Sequence, residues 1–430
     1  MIAASLQAAA GVTSIPSLFG VRVELILFAL TLVGVAVLHE RAVYVALGGL
    51  AAILTFKLVF DGSFDLVAHL FGSAEREGEW RILLNLLGLL LGFAILARHF
   101  EESRIPLELP AILPNDWKGG FALLAIVFVL SSFLDNIAAA MIGGAIAHVV
   151  FRNRLHVGYL AAIVAASNAG GSGSVVGDTT TTMMWIEGVH AHEVLFAYSA
   201  AVPAFLIFGL VAARQQDRYN PITADAPRGV GVDWKRVLVV GMILAGTITT
   251  NILFDFPALG VWIALLVGAT FTSTPWGELR RAFKGAVFLL ALVTCASLMP
   301  VDELPPASWA SSLGLGFVSA VFDNIPLTKL ALEQGGYDWS VLAYAVGFGG
   351  SLIWFGSSAG VALSNMYPEL KYTGTYLKQS WHVVLAYVVG FFVMLGVHGW
   401  QPGTDVGGDH GSVRVEAAAV RQPSEPSRAP

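Results

Sequence analysis

Apolar runs separated by short polar stretches recur along the chain, at about 22–39, 41–60, 82–97, 194–213, 236–253, 258–274, 284–300 and 381–398. As helices these are about long enough to cross a hydrocarbon core of roughly 30 Å. Four further apolar segments do not fit as plain spans. Gly119–Val150 makes a helix of roughly 48 Å, too long for one crossing and too short for two with a turn. It reads as a re-entrant hairpin, 119–150, with Asp135-Asn136 near its tip. The segment 155–188 carries SNAGGSGSVVGDTTTT (Ser167–Thr182) in its middle, so it reads as a span broken into two half-helices.

The second half repeats the order. A shorter segment with Asp323-Asn324 inside it, 309–334, reads as a second hairpin, and 340–366, broken at GFGGSLIWFGSSAG (Gly347–Gly360), as a second broken span. The pattern predicts an N-terminal tail (1–20), a first repeat (21–213), a hydrophilic cytoplasmic linker (214–235), a second repeat (236–399) and a disordered C-terminal tail (400–430). Each repeat has three spans, a hairpin and two spans, one of them broken. Five crossings is an odd number, so the repeats have opposite orientation. The fold class is all-α polytopic membrane protein with two inverted-topology repeats.

Composition agrees with the pattern: of 430 residues, 56% are hydrophobic and 13% charged, about half the charge of a soluble domain. Charge placement fixes a direction. If both hairpins return to the side they entered from, 16 of the 24 Lys and Arg residues collect on one face. The bias toward the cytoplasmic side then puts both termini in the periplasm of a bacterial inner membrane. One cysteine, Cys295, rules out an internal disulfide and a cysteine-based zinc site. No basic patch interleaved with aromatics suggests nucleic acid, and no phosphate-binding loop suggests a primary pump.

The candidate chemistry lies in the polar interruptions. A carboxylate at membrane depth is costly unless paired, hydrated or protonated, and a proton and a cation compete for it because each neutralises the same charge. Asp135 and Asp323 therefore read either as helix N-caps or as ion-binding groups, and the two are compatible. Asn136 and Asn324 offer an amide oxygen to a cation or an N–H to an anion. Asn168, Asp178, Thr179 and Thr180 crowd one broken span, and Ser357 and Ser358 the other; their hard oxygens suit small cations, while the half-helix N-termini suit anions. Lys329, six positions after Asp323, either snorkels or supplies a built-in positive charge. His148 and Glu333 read as interfacial. None of the 10 histidines falls within the four breaks, so neither an enzyme nor a resident metal or cofactor is expected.

FLDN followed by SNAGGSGSVVGDTTTTMMW, and VFDNIPL followed by GGSLIWFGSSAGVAL, resemble the NhaD-type sodium/proton antiporters. That family sits in a superfamily with arsenite and citrate or dicarboxylate permeases. The resemblance covers roughly residues 80–400. It implies a homodimer with a scaffold and a moving transport domain, and an ion site between hairpin tips and broken helices worked by an elevator-like motion. It makes Asp135, Asn136, Asn168, Asp178, Thr179 and Thr180 one half-site and Asp323, Asn324, Ser357 and Ser358 the other. The chain departs from the family's pattern at Ala138-Ala139-Ala140 and at Thr328-Lys329. Exchange of Na+ or Li+ for H+ is the expected function. A permease for arsenite or an organic anion, coupled to Na+ or H+ and using Lys329, is the alternative.

Overall fold

Short polar residues at the starts of apolar runs begin many of the helices. A computed structural model describes residues 16–38, 41–72, 78–108, 113–222 and 231–403. A two-residue β-hairpin, Ser17–Leu18 with Val21–Arg22, occupies the end of the expected N-terminal tail. The rest of that tail and residues 404–430 lie outside the described residues. The helices of the first half are α1 (Val23–Val37), α2 (Ala42–Phe60), α3 (Leu66–Phe71), α4 (Trp80–Glu102), α5 (Ile105–Glu108), α6 (Trp117–Ser131), α7 (Asn136–Val150), α8 (Val157–Gly171), α9 (Thr179–Ile186), α10 (Ala191–Leu195) and α11 (Tyr198–Tyr219). Those of the second are α12 (Trp234–Phe254), α13 (Pro257–Gly268), α14 (Gly277–Ser297), α15 (Trp309–Ser319), α16 (Asn324–Gln334), α17 (Trp339–Gly349), α18 (Ser358–Met366), α19 (Thr373–Gln379) and α20 (Trp381–His398).

Each orphan N-terminal N–H that a side chain accepts stabilises its helix by about 1 kcal/mol. Asp65 caps α3, Asp116 caps α6, Asp233 caps α12 and Asp338 caps α17. Ser308 and Ser311 form a reciprocal capping box at the start of α15, and Pro257 opens α13 where no N–H is needed. Five helical segments among the described residues are long and apolar enough to cross a membrane: Ala42–Phe60, Trp80–Glu102, Ala191–Tyr219, Trp234–Phe254 and Trp381–His398. The protein is an all-α, multi-pass membrane protein.

Two boundaries move for identifiable reasons. α11 runs on to Tyr219, beyond residue 213, because the buried Gln216 amide serves the chain around it. Its oxygen accepts from the His156 N–H at 2.8 Å, and its nitrogen donates to the Arg154 and Asn220 carbonyls. α14 begins at Gly277, ahead of the apolar run, and carries Arg280, Arg281 and Lys284 on its first turns.

The helices sort by their packing. α12 packs on α13; α12, α13 and α14 pack on α4; α2 packs on α1 and α14. Phe28, Leu32, Ala46, Ile53, Leu292 and Cys295 fill the α1, α2 and α14 seam. α8 is buried on all sides; around it are α6, α7, α11, α17 and α18, with α15 and α20 laid against α17. α16 touches α14, α9 touches α4, and α7 touches α4 and α5, so the groups meet along these helices.

Candidate functional site

Four chain breaks converge in the second group. α6 ends at Ser131 and α7 restarts at Asn136; α15 ends at Ser319 and α16 restarts at Asn324. α8 stops at Gly171 and α9 starts at Thr179, while α17 stops at Gly349 and α18 starts at Ser358. Every restart is capped by the residue before it. Ile137 N–H donates to Asp135 Oδ2 and Ile325 N–H to Asp323 Oδ1, both at 3.2 Å; Gly360 N–H donates to Ser357 Oγ at 3.2 Å; Thr180 N–H donates to Asp178 Oδ1 at 3.4 Å.

Two contacts at the helix crossings recur in both halves. The Ser131 hydroxyl donates to the Ser167 carbonyl, and the Ser319 hydroxyl to the Val346 carbonyl. A Cβ on Gly170 would collide with the Phe128 carbonyl, and one on Gly349 with the Gly316 carbonyl. Hairpin residues correspond at a constant offset, Asp135 with Asp323, and broken-span residues at another, Gly170 with Gly349. On that correspondence Asp178 matches Ser357, Ser172 matches Ser351, and Asn168 matches Gly347.

The last three pairs make the centre unequal. Asp178 is 3% exposed and receives donors from three elements. Asn136 Nδ2 donates to its Oδ1 at 3.4 Å, Asn324 Nδ2 to its Oδ2 at 3.5 Å, and Thr180 Oγ1 to Oδ2 at 2.9 Å. Both hairpin asparagines thus turn to one carboxylate. Asn168 Oδ1 accepts from Asn136 at 3.1 Å, and its Nδ2 donates across the halves to Ser351 Oγ at 2.9 Å and Ser357 Oγ at 3.0 Å. In the reverse direction Gly347 has no side chain, and a Cβ there would lie 3.3 Å from Ser172 Cβ and 3.4 Å from Asp178 Oδ2.

Of the residues singled out in the sequence, Asn136, Asn168, Asp178, Thr180, Asn324 and Ser357 form this connected centre. Asp135 and Asp323 are partly exposed beside it; Asp323 Oδ2 accepts from Ser358 Oγ at 3.3 Å, joining those two as a separate pair. Thr179 turns away, lining a small cavity with Thr182 against Leu86, Leu89, Leu90 and Phe93 of α4. Thr181 and Thr182 bond back to the broken segment, to the Ser174 and Val175 carbonyls at 2.6 and 2.8 Å, and hold its shape. Ser351 and Gly347 join the centre without having been singled out. Ser351 follows Gly350, and its hydroxyl has the same spacing from its glycine pair as Ser172 has from Gly170-Gly171, which is the signal that marks it.

Lys329 neither snorkels nor faces this centre. It is 1% exposed and bonded to glutamates. Glu333 is one of its partners, and not only an interfacial residue.

No protein-family model matches the chain. Curated proteins do. Sodium/proton antiporter 2 of Arabidopsis thaliana is 25% identical over 427 residues, covering 85% of this chain and 97% of that protein. Sodium/proton antiporter 1 of the same plant is 27% identical over 332 residues, covering 66% of this chain and 55% of that protein, so the chain spans little more than half of that relative. The Na+/H+ antiporter NhaD of Vibrio cholerae is 26% identical over 330 residues, 63% of this chain and 68% of its own. The chain is similar to NhaD-type sodium/proton antiporters over most of its length.

Proposed function

We propose that the chain is a secondary active transporter exchanging Na+ or Li+ for H+ across a bacterial inner membrane, with both termini periplasmic. The observation that carries the reading is the buried Asp178 carboxylate, met by the asparagines of both hairpins. The carboxylate supplies hard oxygens for a small cation; on cation binding the asparagine amides, which here donate N–H to it, would turn their oxygens to the ion, and a proton takes the same charge when the cation leaves. The relatives' names support the same ion pair.

The matching contacts of the two halves support inverted-topology repeats around a single centre near the bilayer midplane. Helix packing in two groups, joined through α7, α9 and α16, supports an elevator-like motion of one group past the other. A homodimer is the assembly the family resemblance implies. In the permease reading Lys329 receives an anion; its engagement by three glutamates speaks for the antiporter instead.

Purified protein in liposomes containing a pH-sensitive dye tests the function. External Na+ or Li+ should drive proton efflux, and K+ should do so less. The apparent KM for Na+ should fall as pH rises, by at most about tenfold per pH unit for one competing proton. Absence of any cation-driven proton movement, with uptake of an oxyanion or carboxylate, would overturn this reading.

Gly347→Ala adds a methyl group 3.4 Å from Asp178 Oδ2. We expect it to fold, because the contact is tight without overlapping backbone, and to raise the apparent KM for Na+ severalfold in the same liposomes. An unchanged KM would mean that the cation does not sit on the Gly347 side of Asp178.

A further inference from the structure

We propose that Lys329 is a positioning residue for the ion site, clamping the far end of the helix whose near end carries Asp178 to the helix that begins at Asn324. The inference rests on the ion-site reading above.

α9 begins at the Asp178 cap and ends against its C-cap Glu187. α16 begins at the Asp323 cap with Asn324 as its first residue, carries Lys329 at its midpoint and Glu333 toward its other end. The two helices pack together. At one end of α9 Asn324 Nδ2 stands 3.5 Å from Asp178 Oδ2. At the other, Lys329 Nζ stands 2.5 Å from Glu187 Oε1 and 2.7 Å from Glu333 Oε1. Glu79, the N-cap of α4, completes the group at 3.1 Å and ties the clamp to that helix. Among the described residues, these three glutamates are the charged groups that face Lys329. The eight-residue α9 is about 12 Å long, so a shift of its C-terminal end against α16 is transmitted to the carboxylate by one short, rigid helix.

The other half shows that packing does not require the charges. At the internal correspondence already described, Lys329 matches Met141, Glu333 matches Ala145, and Glu187 matches Met366. There α7 and α18 also pack together, with Gly144 of α7 against Leu363 and Met366 and the Tyr367 hydroxyl donating to the Gly144 carbonyl at 2.9 Å, and among the described residues no ion pair takes part. An ammonium within 3.1 Å of three carboxylates holds α9 and α16 in one register, because parting Lys329 from Glu187 separates two buried opposite charges; a contact without ion pairs has no such fixed partner. The charged clamp is found on the half whose hairpin supplies Asn324; the matching positions on the half that supplies Asn136 carry no charge.

The test compares Lys329→Met, the exchange Lys329→Glu with Glu187→Lys, and Asp178→Asn, each in liposomes with the pH-sensitive dye. Lys329→Met should raise the apparent KM for Na+ roughly fivefold or more with the maximal rate within about twofold. The double exchange should bring KM back to within about twofold of the unsubstituted protein, which a purely steric role would not do. If Lys329→Met does not fold, the combination Lys329→Met, Glu187→Met and Glu333→Ala, which copies the other half, takes its place. That variant, folded, should show the same raised KM. An unchanged KM in either variant, while Asp178→Asn loses exchange, overturns the clamp and leaves the ion site standing. Failure of every Lys329 variant to fold makes the cluster a folding requirement and also overturns it. Exchange that survives Asp178→Asn removes the ion-site reading instead.

Discussion

Asp178→Asn is expected to lower Na+-driven proton movement more than a hundredfold while leaving the fold intact. Asparagine is nearly isosteric and is itself a good N-cap, so its oxygen still accepts the Thr180 N–H and α9 keeps its start. The formal charge is what disappears. A buried cation facing a neutral amide loses the partner that offsets its desolvation, at a cost of about 3 kcal/mol or more, which exceeds a hundredfold in affinity. Equilibrium stability supplies a second readout, independent of transport. Na+ at about a hundred times its Kd stabilises a protein that binds it by about 2.7 kcal/mol. Thermal unfolding in detergent should therefore respond to Na+ in the unsubstituted protein and not in Asp178→Asn. Asp135→Asn and Asp323→Asn should have smaller effects, since those residues are partly exposed and each serves its own helix cap. Exchange unchanged in all three variants would remove the carboxylates from the mechanism.

The helices and the caps were legible because each depends on local chemistry. Apolar length marks a span, and Asp135, Asp178 and Asp323 sit where a chain leaving a polar break must restart a helix. The choice between cap and ion ligand for Asp135 and Asp323 was not legible, because it depends on which side chains arrive from elsewhere. Asn136 and Asn324 both turn to Asp178, from positions 42 and 146 residues away. Nothing local distinguishes Thr179, which faces α4, from Thr180, which faces Asp178. Lys329 failed as a sequence reading for a similar reason. Both options considered for it concerned the membrane and the site, whereas its partners Glu79 and Glu187 lie 250 and 142 residues away. Glu79 lies in the polar stretch just before the apolar run at 82–97. A helical repeat can be aligned by its glycines, but long-range ion pairs leave no periodic trace.

Those glycines give the second large effect. Gly170→Ala and Gly349→Ala are both expected to abolish the yield of monodisperse protein in detergent, or to lower its thermal midpoint sharply. In each half the terminal turn of the first broken-span helix presses on a hairpin helix, α8 on α6 and α17 on α15. A Cβ at either glycine lands on a backbone carbonyl, of Phe128 or of Gly316. A side chain in the way can change rotamer, but a carbonyl inside a helix cannot move without breaking its own hydrogen bonds, so the cost is at or above the usual 1–3 kcal/mol of overpacking. The same approach lets Ser131 and Ser319 reach the carbonyls of Ser167 and Val346, so separating the helices also loses a buried hydrogen bond. Gly314→Ala and Gly48→Ala are the controls: they lie on α15 and α2 with open space where the methyl would go. In a helix interior such a change gains roughly 0.5–1 kcal/mol. Opposite signs for the two pairs would tie the intolerance to the crossings and not to helix propensity. Equal damage at Gly170 and Gly349 would show that the two halves carry the same crossing, despite a centre in which one supplies Asn168 and Asp178 and the other Gly347 and Ser357. If Gly170→Ala and Gly349→Ala are as stable as Gly314→Ala, the helices do not meet as closely as described, and the convergence of both asparagines on Asp178 fails with them.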